Sequence, residues 1–200
     1  MIKMIGEPIE KFRGRLLRIV NQKVELPQGR IMNFEHAERA PGVRVLVTSD
    51  DKYLLNKEWR IELNDWDYRL PGGKVFDTIN EFIDRQNNPD FDLEHACLLA
   101  AKKELKEETG LDIDLSCFSK KHKSTLGSTV IWDLHYYLVN CQGLTFNPCE
   151  IQTDEGEQIK CAWLTKEEIV TLFFENKIQE DRSIPFVLKT LFIHSKNIAL

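Results

Sequence analysis

The segment Lys103–Leu111, which reads Lys-Glu-Leu-Lys-Glu-Glu-Thr-Gly-Leu, constrains this chain more than any other. The apolar residues leading into it recur at helical spacing, and Gly110 can take the left-handed conformation that ends a helix. Residues three and four apart share a helix face, so Glu104, Glu107 and Glu108 are predicted to project together. Such carboxylates repel one another unless a cation lies among them. Their hard oxygen atoms suit Mg²⁺ or Mn²⁺ better than zinc, so the segment predicts a divalent-metal site.

A turn rich in glycine precedes this helix. It reads Leu-Pro-Gly-Gly and ends at Gly72 and Gly73. Two glycines let the backbone approach a ligand closely, and a bare carbonyl in such a turn can serve as a further metal ligand. The turn and the acidic helix together favour phosphate chemistry.

The bulk properties exclude several other classes. A net charge of −5 without a dominant basic stretch argues against a protein that wraps nucleic acid. The five cysteines are scattered and never spaced Cys-x-x-Cys, which excludes the common zinc and redox patterns and favours free thiols in a reducing compartment. The first 20 residues carry several charges, and no run approaches the roughly 18 apolar residues of a membrane span. We therefore expect a cytoplasmic chain with no membrane or nucleic-acid partner.

The pattern of apolar residues predicts an α+β fold with a mixed, mostly antiparallel sheet. An antiparallel β unit precedes Pro41-Gly42, so we expect an N-terminal β subdomain at residues 1–41 and a second domain at 42–200. Strands are predicted at 13–25, 30–39, 43–48, 53–60, 67–70, 74–76, 130–139 and 159–164, and helices at 78–85, 93–109, 165–175 and 184–194.

Gly73 followed by Lys103–Leu111 resembles the Nudix box, the signature of hydrolases that act on nucleoside diphosphates linked to another moiety. The second half of that box reads Arg-Glu-apolar-any-Glu-Glu-any-Gly-apolar. This chain matches every fixed position except the first, where Lys103 replaces arginine. The resemblance implies the Nudix α/β/α sandwich and a pyrophosphatase activity.

The first half of the box departs from the family pattern. Gly73 and Glu104 are about 16 residues further apart than in the family, which places an insertion at about residues 77–92. The insertion is either a surface elaboration, since loops tolerate added length, or a lid over the substrate. The family's first glutamate would fall on His95, and Glu94 or Asp92 can stand in for it.

The flanking segments resemble the ADP-ribose pyrophosphatase subgroup, and the likeness extends over most of residues 15–185. This implies Mg²⁺-dependent hydrolysis of a nucleoside diphosphate sugar, with ADP-ribose, giving AMP and ribose 5-phosphate, as the leading substrate. It also implies a homodimer built by the N-terminal subdomain. Two alternatives stay open: a pyrophosphatase for GDP-mannose or another nucleotide sugar, and a catalytically weak domain acting as a nucleotide sensor or interaction module. The segments that carry the likeness are 24–30, 34–43, 56–60, 153–159 and 177–181, with Trp163.

The resemblance and the helix face together give a predicted metal site. Its ligands are Glu104, Glu107 and Glu108, with the Gly72 carbonyl added by family analogy. Lys103 is expected to pair with Glu107 at i, i+4 and so to orient the site as the family's arginine would, without its bidentate fork. Lys103 and Glu107 therefore also belong to the predicted catalytic set.

The catalytic base is expected from the acidic loop near residue 155. In the resembling enzymes a glutamate of this loop is the proposed base, and Glu155 matches its position best, with Glu157 next. An ordinary polar turn between strands is the alternative interpretation.

Four residues are predicted to contact substrate. Arg39 and Arg60 can bind the pyrophosphate or the terminal ribose, because arginine matches phosphate oxygens bidentately. Phe34 or Trp59 can stack on a base, although core packing is the commoner role of such rings. The five histidines have no ligand spacing and are taken as structural.

Overall fold

The computed structural model describes residues 1–127, 129–142 and 158–194, with side chains up to residue 192. Within these residues it contains ten strands and four α-helices. In chain order they are β1 (Lys3–Arg13), β2 (Leu17–Glu25), β3 (Ile31–Arg39), β4 (Gly42–Ser49), β5 (Lys52–Arg60), β6 (Asp65–Arg69), α1 (Ile79–Gln86), α2 (Leu93–Thr109), β7 (Phe118–Thr125), β8 (Val130–Ile131), β9 (Asp133–Asn140), β10 (Ile159–Thr165), α3 (Lys166–Phe174) and α4 (Ile184–His194).

The strands form two sheets. The N-terminal sheet has the order β1-β2-β3-β8, with β1, β2 and β3 antiparallel and the short β8 parallel to β3. The larger sheet has the order β10-β5-β4-β9-β7, and β6 pairs with β5. Strands β4 and β9 are parallel and the other pairs are antiparallel, so the predicted mixed sheet is confirmed.

The larger sheet lies between helices on its two faces. Alternate residues of a strand point to opposite faces, and both faces of β4 are buried, as in a strand covered on both sides. Val43, Val45 and Val47 pack with Leu105 of α2. Leu46 packs on the other face with residues of α3 and α4. This arrangement is the predicted α/β/α sandwich.

Both ends of α2 follow from its sequence. The Asp92 side chain accepts a hydrogen bond from the His95 backbone N–H at 3.1 Å and caps the N-terminus. Gly110 has φ 73° and donates its N–H to the Lys106 carbonyl at 2.8 Å, which closes the last turn. The predicted bounds of 93–109 are therefore confirmed, and the carboxylates near the C-terminal end hold fixed positions on the helix.

The insertion is packed against the rest of the chain. Its helix α1 is capped by Thr78, and the Phe76 ring lies 5.4 Å from that of Phe82. Arg13 of the N-terminal sheet donates to the Asn80 side chain at 2.8 Å. The Ile79 N–H donates to the Arg15 carbonyl, also at 2.8 Å. These contacts hold the insertion against the turn between β1 and β2.

The structure differs from the predicted elements in four places. Strands β1 and β7 were not predicted, and the expected strand at 74–76 is only a single bridge between Gly42 and Lys74. The expected strand at 130–139 is interrupted at Trp132, where the chain passes from the N-terminal sheet to the larger one. In the portion of the chain that is described, no helix combines the length and apolar character needed to cross a membrane.

Candidate active site

A cleft of about 1170 Å³ runs along the carboxylate-bearing face of α2. The glycine turn after β6, the ends of β3 and β5, and the insertion form its other walls. The insertion contributes several polar residues to the lining, so it is part of the cleft and not a remote surface elaboration. The lining of the cleft includes Arg39, Arg44, Glu58, Arg60, Gly72, Gly73, Glu81, Arg85, Asn88, Asp90, Phe91, Lys103, Glu104, Glu107, Glu108 and Trp132.

The two glycines of the turn are needed for steric reasons. Gly72 has φ +143°, and a Cβ there would lie 2.2 Å from the Val43 carbonyl oxygen. A Cβ on Gly73 would lie 2.5 Å from the Glu104 Oε2. The turn is held on β4 by two backbone hydrogen bonds, Val43 N–H to Gly73 O at 2.9 Å and Val45 N–H to Pro71 O at 2.8 Å. Glycine therefore lets the turn lie directly on β4 and under the first carboxylate of the helix.

Glu108 lies between the glycine turn and strand β5. It accepts hydrogen bonds from the Gly72 N–H at 2.9 Å and from the Asn56 side-chain amide at 2.8 Å. Burial raises the pKa of Glu108 to about 8, since the Gly72 N–H only partly opposes it and the nearby Glu104 carboxylate raises the pKa further. A carboxylate held this way favours a cation beside it.

Lys103 and Glu107 form the ion pair expected at i, i+4. Their Nζ and Oε2 atoms are 3.0 Å apart, and the hydrogen bond to Glu107 raises the pKa of Lys103. The Lys103 side chain is largely exposed and that of Glu107 is 38% exposed, so solvent screens the pair and it contributes little to stability. It orients the Glu107 carboxylate at the mouth of the cleft.

The chemistry of the donor set fits Mg²⁺. Glu104 lies against Gly73, and Glu108 accepts from the Gly72 N–H, so both carboxylates face the glycine turn. The Gly72 carbonyl belongs to the same turn and accepts a hydrogen bond from Arg44. Among the residues that the structure describes, no three acidic, histidine or cysteine side chains already form a complete metal-binding group. Mg²⁺ usually binds one or two carboxylates and keeps several waters, so a complete protein shell is not required.

A buried ion pair between Arg44 and Glu180 supports the glycine turn through a hydrogen bond to Gly72. Arg44 Nη2 lies 2.6 Å from Glu180 Oε1, and both side chains are about nine-tenths buried. Arg44 Nη1 donates to the Gly72 carbonyl at 2.7 Å. Burial raises the pKa of Glu180, but the charge and hydrogen bonds of Arg44 outweigh it, with Ser183 and Arg69 adding to the effect, and the pKa falls to about 2.

Arg44, Glu180 and Asn56 were not predicted from the sequence as parts of the site. A signal for Arg44 is present, because it is a charged residue inside the apolar strand β4. No comparable signal marks Glu180, since its partner is 136 residues away.

Arg39 and Arg60 both line the cleft. Arg60 lies 2.5 Å from Glu58 and 2.8 Å from Glu62, so its charge is already balanced. Arg39 lies over the ring of Trp132, with its guanidinium carbon 4.2 Å from the ring centroid. Within the described residues Arg39 has no carboxylate partner, which leaves its charge available to an anionic ligand.

The two predicted stacking residues lie elsewhere. Trp59 is on β5 between the cleft residues Glu58 and Arg60, so it points to the opposite face, where it packs edge-on against Trp66 at 5.7 Å. Phe34 lies in β3 of the N-terminal sheet, 5.2 Å from the His36 ring. The structure does not bring either ring into the cleft of its own chain.

Two further predictions concern residues around the box. The base candidates Glu155 and Glu157 lie outside the described residues. Of the candidates for the family's first glutamate, Asp92 and the neighbouring His95 line the cleft, whereas Glu94 forms an ion pair with Lys120. Asp92 is thus the nearer acidic residue, and it also caps α2.

Comparison with known proteins agrees with this geometry. The family model for the NUDIX domain matches residues 38–186. The chain therefore belongs to the Nudix family. A solved structure described as "Crystal structure of ADP compounds hydrolase" superimposes with a TM-score of 0.67 at 15% identity, covering 98% of this chain and 97% of that chain. No curated protein matches. The predictions of the Nudix fold and of an enzyme of the Nudix pyrophosphatase type are confirmed at the level of family and fold.

Proposed function

We propose that the chain is a Mg²⁺-dependent hydrolase that cleaves the pyrophosphate bond of a nucleoside diphosphate sugar. ADP-ribose, split to AMP and ribose 5-phosphate, is the leading substrate, and Mn²⁺ is an alternative cation. The observation that carries this proposal is the placement of Glu108, buried against the Gly72 N–H and beside Glu104 in the cleft that Arg39 also lines. A cation site next to an unpaired guanidinium suits a diphosphate, whose oxygens need positive charge on both sides.

Different residues of the site would bind the metal, bind the phosphates and accept the proton. Glu104, Glu108 and the Gly72 carbonyl would hold the metal, with Glu107 oriented by Lys103. When bound, the metal supplies positive charge to the diphosphate oxygens and lowers the pKa of the attacking water.

Arg39 would bind the phosphate oxygens, and a glutamate of the loop, Glu155 or else Glu157, would take the proton from the water. The neighbouring Arg60, already paired with two carboxylates, is assigned a weaker contact with the substrate.

Turnover with a matched pair of variants tests the proposal. Purified protein is incubated with Mg²⁺ and ADP-ribose, GDP-mannose and other nucleotide sugars, and the products are separated by chromatography. Glu108→Gln should abolish hydrolysis, whereas Glu175→Gln, an exposed residue at the end of α3, should leave it unchanged. If the protein binds a nucleotide but hydrolyses no diphosphate, it is a ligand sensor and not an enzyme.

We also propose that residues 1–41 act as a dimerisation subdomain. The N-terminal sheet exposes several large apolar side chains, including Ile9 at 52%, Phe12 at 58% and Ile31 at 61% of their surface. Exposed apolar groups of this size favour burial against a second copy of the chain. Sedimentation of wild type and Phe12→Ser tests this, because the substitution should shift the equilibrium to the monomer.

The four described cysteines are free thiols, which supports the proposed cytoplasmic location.

A further inference from the structure

Arg39 and Trp132 lie side by side where the chain crosses between the two sheets. Strands β3 and β8 are parallel and in register, with Ala37 opposite Val130 and Glu38 opposite Ile131. One residue further along each strand are Arg39 and Trp132. Both chain segments leave the N-terminal sheet at this point and enter the larger sheet as β4 and β9. The parallel register therefore places the arginine beside the tryptophan at the joint between the sheets.

The Arg39 side chain lies over the indole ring of Trp132. The guanidinium lies 4.2 Å from the ring centroid, a distance at which the electron-rich face attracts a cation. Partial burial lowers the pKa of Arg39, and the nearby Arg44 and Arg182 lower it further. Arg44 is paired with Glu180, whereas Arg39 forms no ion pair with a carboxylate in the described part of the chain. The arginine is therefore held at the cleft wall by an aromatic face and keeps its charge free.

Trp132 is itself held in place by Arg182 and by the apolar core. Arg182 also lies against the indole, with its guanidinium carbon 4.9 Å from the ring centroid. Arg182 Nη2 donates to the Trp132 carbonyl at 2.8 Å and to the Ser124 carbonyl at 2.5 Å. The ring packs on the apolar cluster between the larger sheet and α4. The backbone and the ring of Trp132 are thus both restrained.

We propose that Trp132 is a positioning residue that holds the Arg39 guanidinium at the cleft wall, ready for the phosphate oxygens of the substrate. The proposal rests on the proposed function, in which Arg39 binds the diphosphate. A carboxylate would orient Arg39 equally well but would compete with the phosphate for its N–H groups. An aromatic face restrains the guanidinium through its plane and leaves the donors at its edge available. A pre-oriented donor also loses less conformational entropy when the ligand binds.

A double-mutant cycle separates this role from simple packing. The variants are Trp132→Leu, Arg39→Gln and the double variant, and kcat and KM are measured with Mg²⁺ and the nucleotide sugar that the wild type hydrolyses. Loss of a hydrogen bond to a charged group should raise KM about tenfold or more in Arg39→Gln. Trp132→Leu should raise KM about three- to tenfold with a smaller change in kcat. In the Arg39→Gln background, Trp132→Leu should have no further effect on KM, because the residue it positions is absent.

Two controls keep the result interpretable. Trp66→Leu removes an indole outside the cleft lining and should leave KM unchanged. Trp132→Phe retains an aromatic face and should raise KM less than Trp132→Leu, which covers the case in which the leucine variant does not fold. The proposal is wrong if Trp132→Leu, or Trp132→Phe where only that variant folds, raises KM by the same factor in both backgrounds.

A binding measurement distinguishes this inference from the proposed function. Calorimetric titration with ADP and with adenosine, in metal-free buffer, compares an anionic with an uncharged ligand. Trp132→Leu should weaken ADP binding and leave adenosine binding unchanged. If the wild type hydrolyses no diphosphate, the proposed function fails, and the ADP titration alone decides the role of Trp132. Equal weakening for both ligands would show that Trp132 only supports the fold.

Discussion

Replacing Glu180 by glutamine removes the carboxylate that neutralises the buried guanidinium of Arg44. Their closest atoms are 2.6 Å apart, and the exposed fractions of the two side chains are 9% and 10%. Glutamine keeps the size of the side chain but leaves the Arg44 charge without compensation in a poorly solvated place. Removing one partner of a buried pair typically costs about 3–5 kcal/mol of unfolding free energy.

The lowered pKa of Glu180 gives an independent value for the stability that this pair contributes. Its usual value of 4.5 falls to about 2 in the folded chain. By linkage this depression corresponds to roughly 3 kcal/mol of stability at neutral pH, within the range expected for a broken pair. Because the folded pKa is the lower one, the stabilisation is complete above pH 4.5 and is lost as the pH falls towards 2.

Thermal denaturation followed by circular dichroism measures the effect. For a chain of this size about 3–5 kcal/mol corresponds to a decrease in Tm of roughly 6–20 °C for Glu180→Gln at pH 7. The difference from wild type should shrink as the pH is lowered from 4.5. The double variant Arg44→Met with Glu180→Leu should recover much of the loss, since it removes both charges. A Glu180→Gln variant within about 2 °C of wild type at pH 7 would refute this account of the pair.

Three further predictions concern the turn, the base and a buried histidine. Gly72→Ala should lower the free energy of unfolding, measured by chemical denaturation, by roughly 2–6 kcal/mol, because the added Cβ would clash with the Val43 carbonyl. The control Gly6→Ala, which has open space around it, should lower it by only about 1–2 kcal/mol. Glu155→Gln should lower kcat by roughly 10²-fold or more with little change in KM; an unaltered rate would move the base to Glu157 or to the insertion. Burial lowers the pKa of His135, whose ring nitrogens have no hydrogen-bond partner, and this effect exceeds the opposing charge of Glu94, 3.8 Å from Nδ1. Stability should therefore fall as the pH drops below 6.5. The Tm of His135→Leu should depend less on pH between 7 and 5, and equal slopes would contradict this.

Local signals were sufficient for much of the fold. Helix α2 carries its own start and stop signals in Asp92 and Gly110, and the spacing of its carboxylates fixes their common face. The capping box of Thr165 and Glu168 opens α3 as predicted. These features depend on residues a few positions apart, which is the range over which sequence patterns are informative.

Strands with little burial were harder to predict. Strand β1 is exposed along almost its whole length, and β7 reads Phe-Ser-Lys-Lys-His-Lys-Ser-Thr. Neither has the alternation of apolar and polar residues that marks a half-buried strand, because each lies at the edge of its sheet. The interruption at Trp132 was hidden for the opposite reason, since an alternating pattern continues through it.

The parts of the site that depend on distant contacts could not be predicted. The acidic helix and the glycine turn were found from residue spacing and from a resemblance. Arg44 meets Glu180 across 136 residues of sequence, and Arg39 meets Trp132 only where the chain crosses between the two sheets. Trp59, in contrast, was predicted to contact substrate because its ring suits base stacking. Its register on β5 directs it away from the cleft.

The insertion is secured at both of its ends and along its helix. It leaves the sheet at the bridge between Gly42 and Lys74, is fastened by Arg13 to Asn80, and returns at the cap Asp92. Its length is thus accommodated without altering the spacing between the glycine turn and the carboxylates of α2. Natural variation or deliberate grafting at 77–92 can therefore change the wall of the cleft, while the glycine turn and the carboxylates of α2 keep their relative positions.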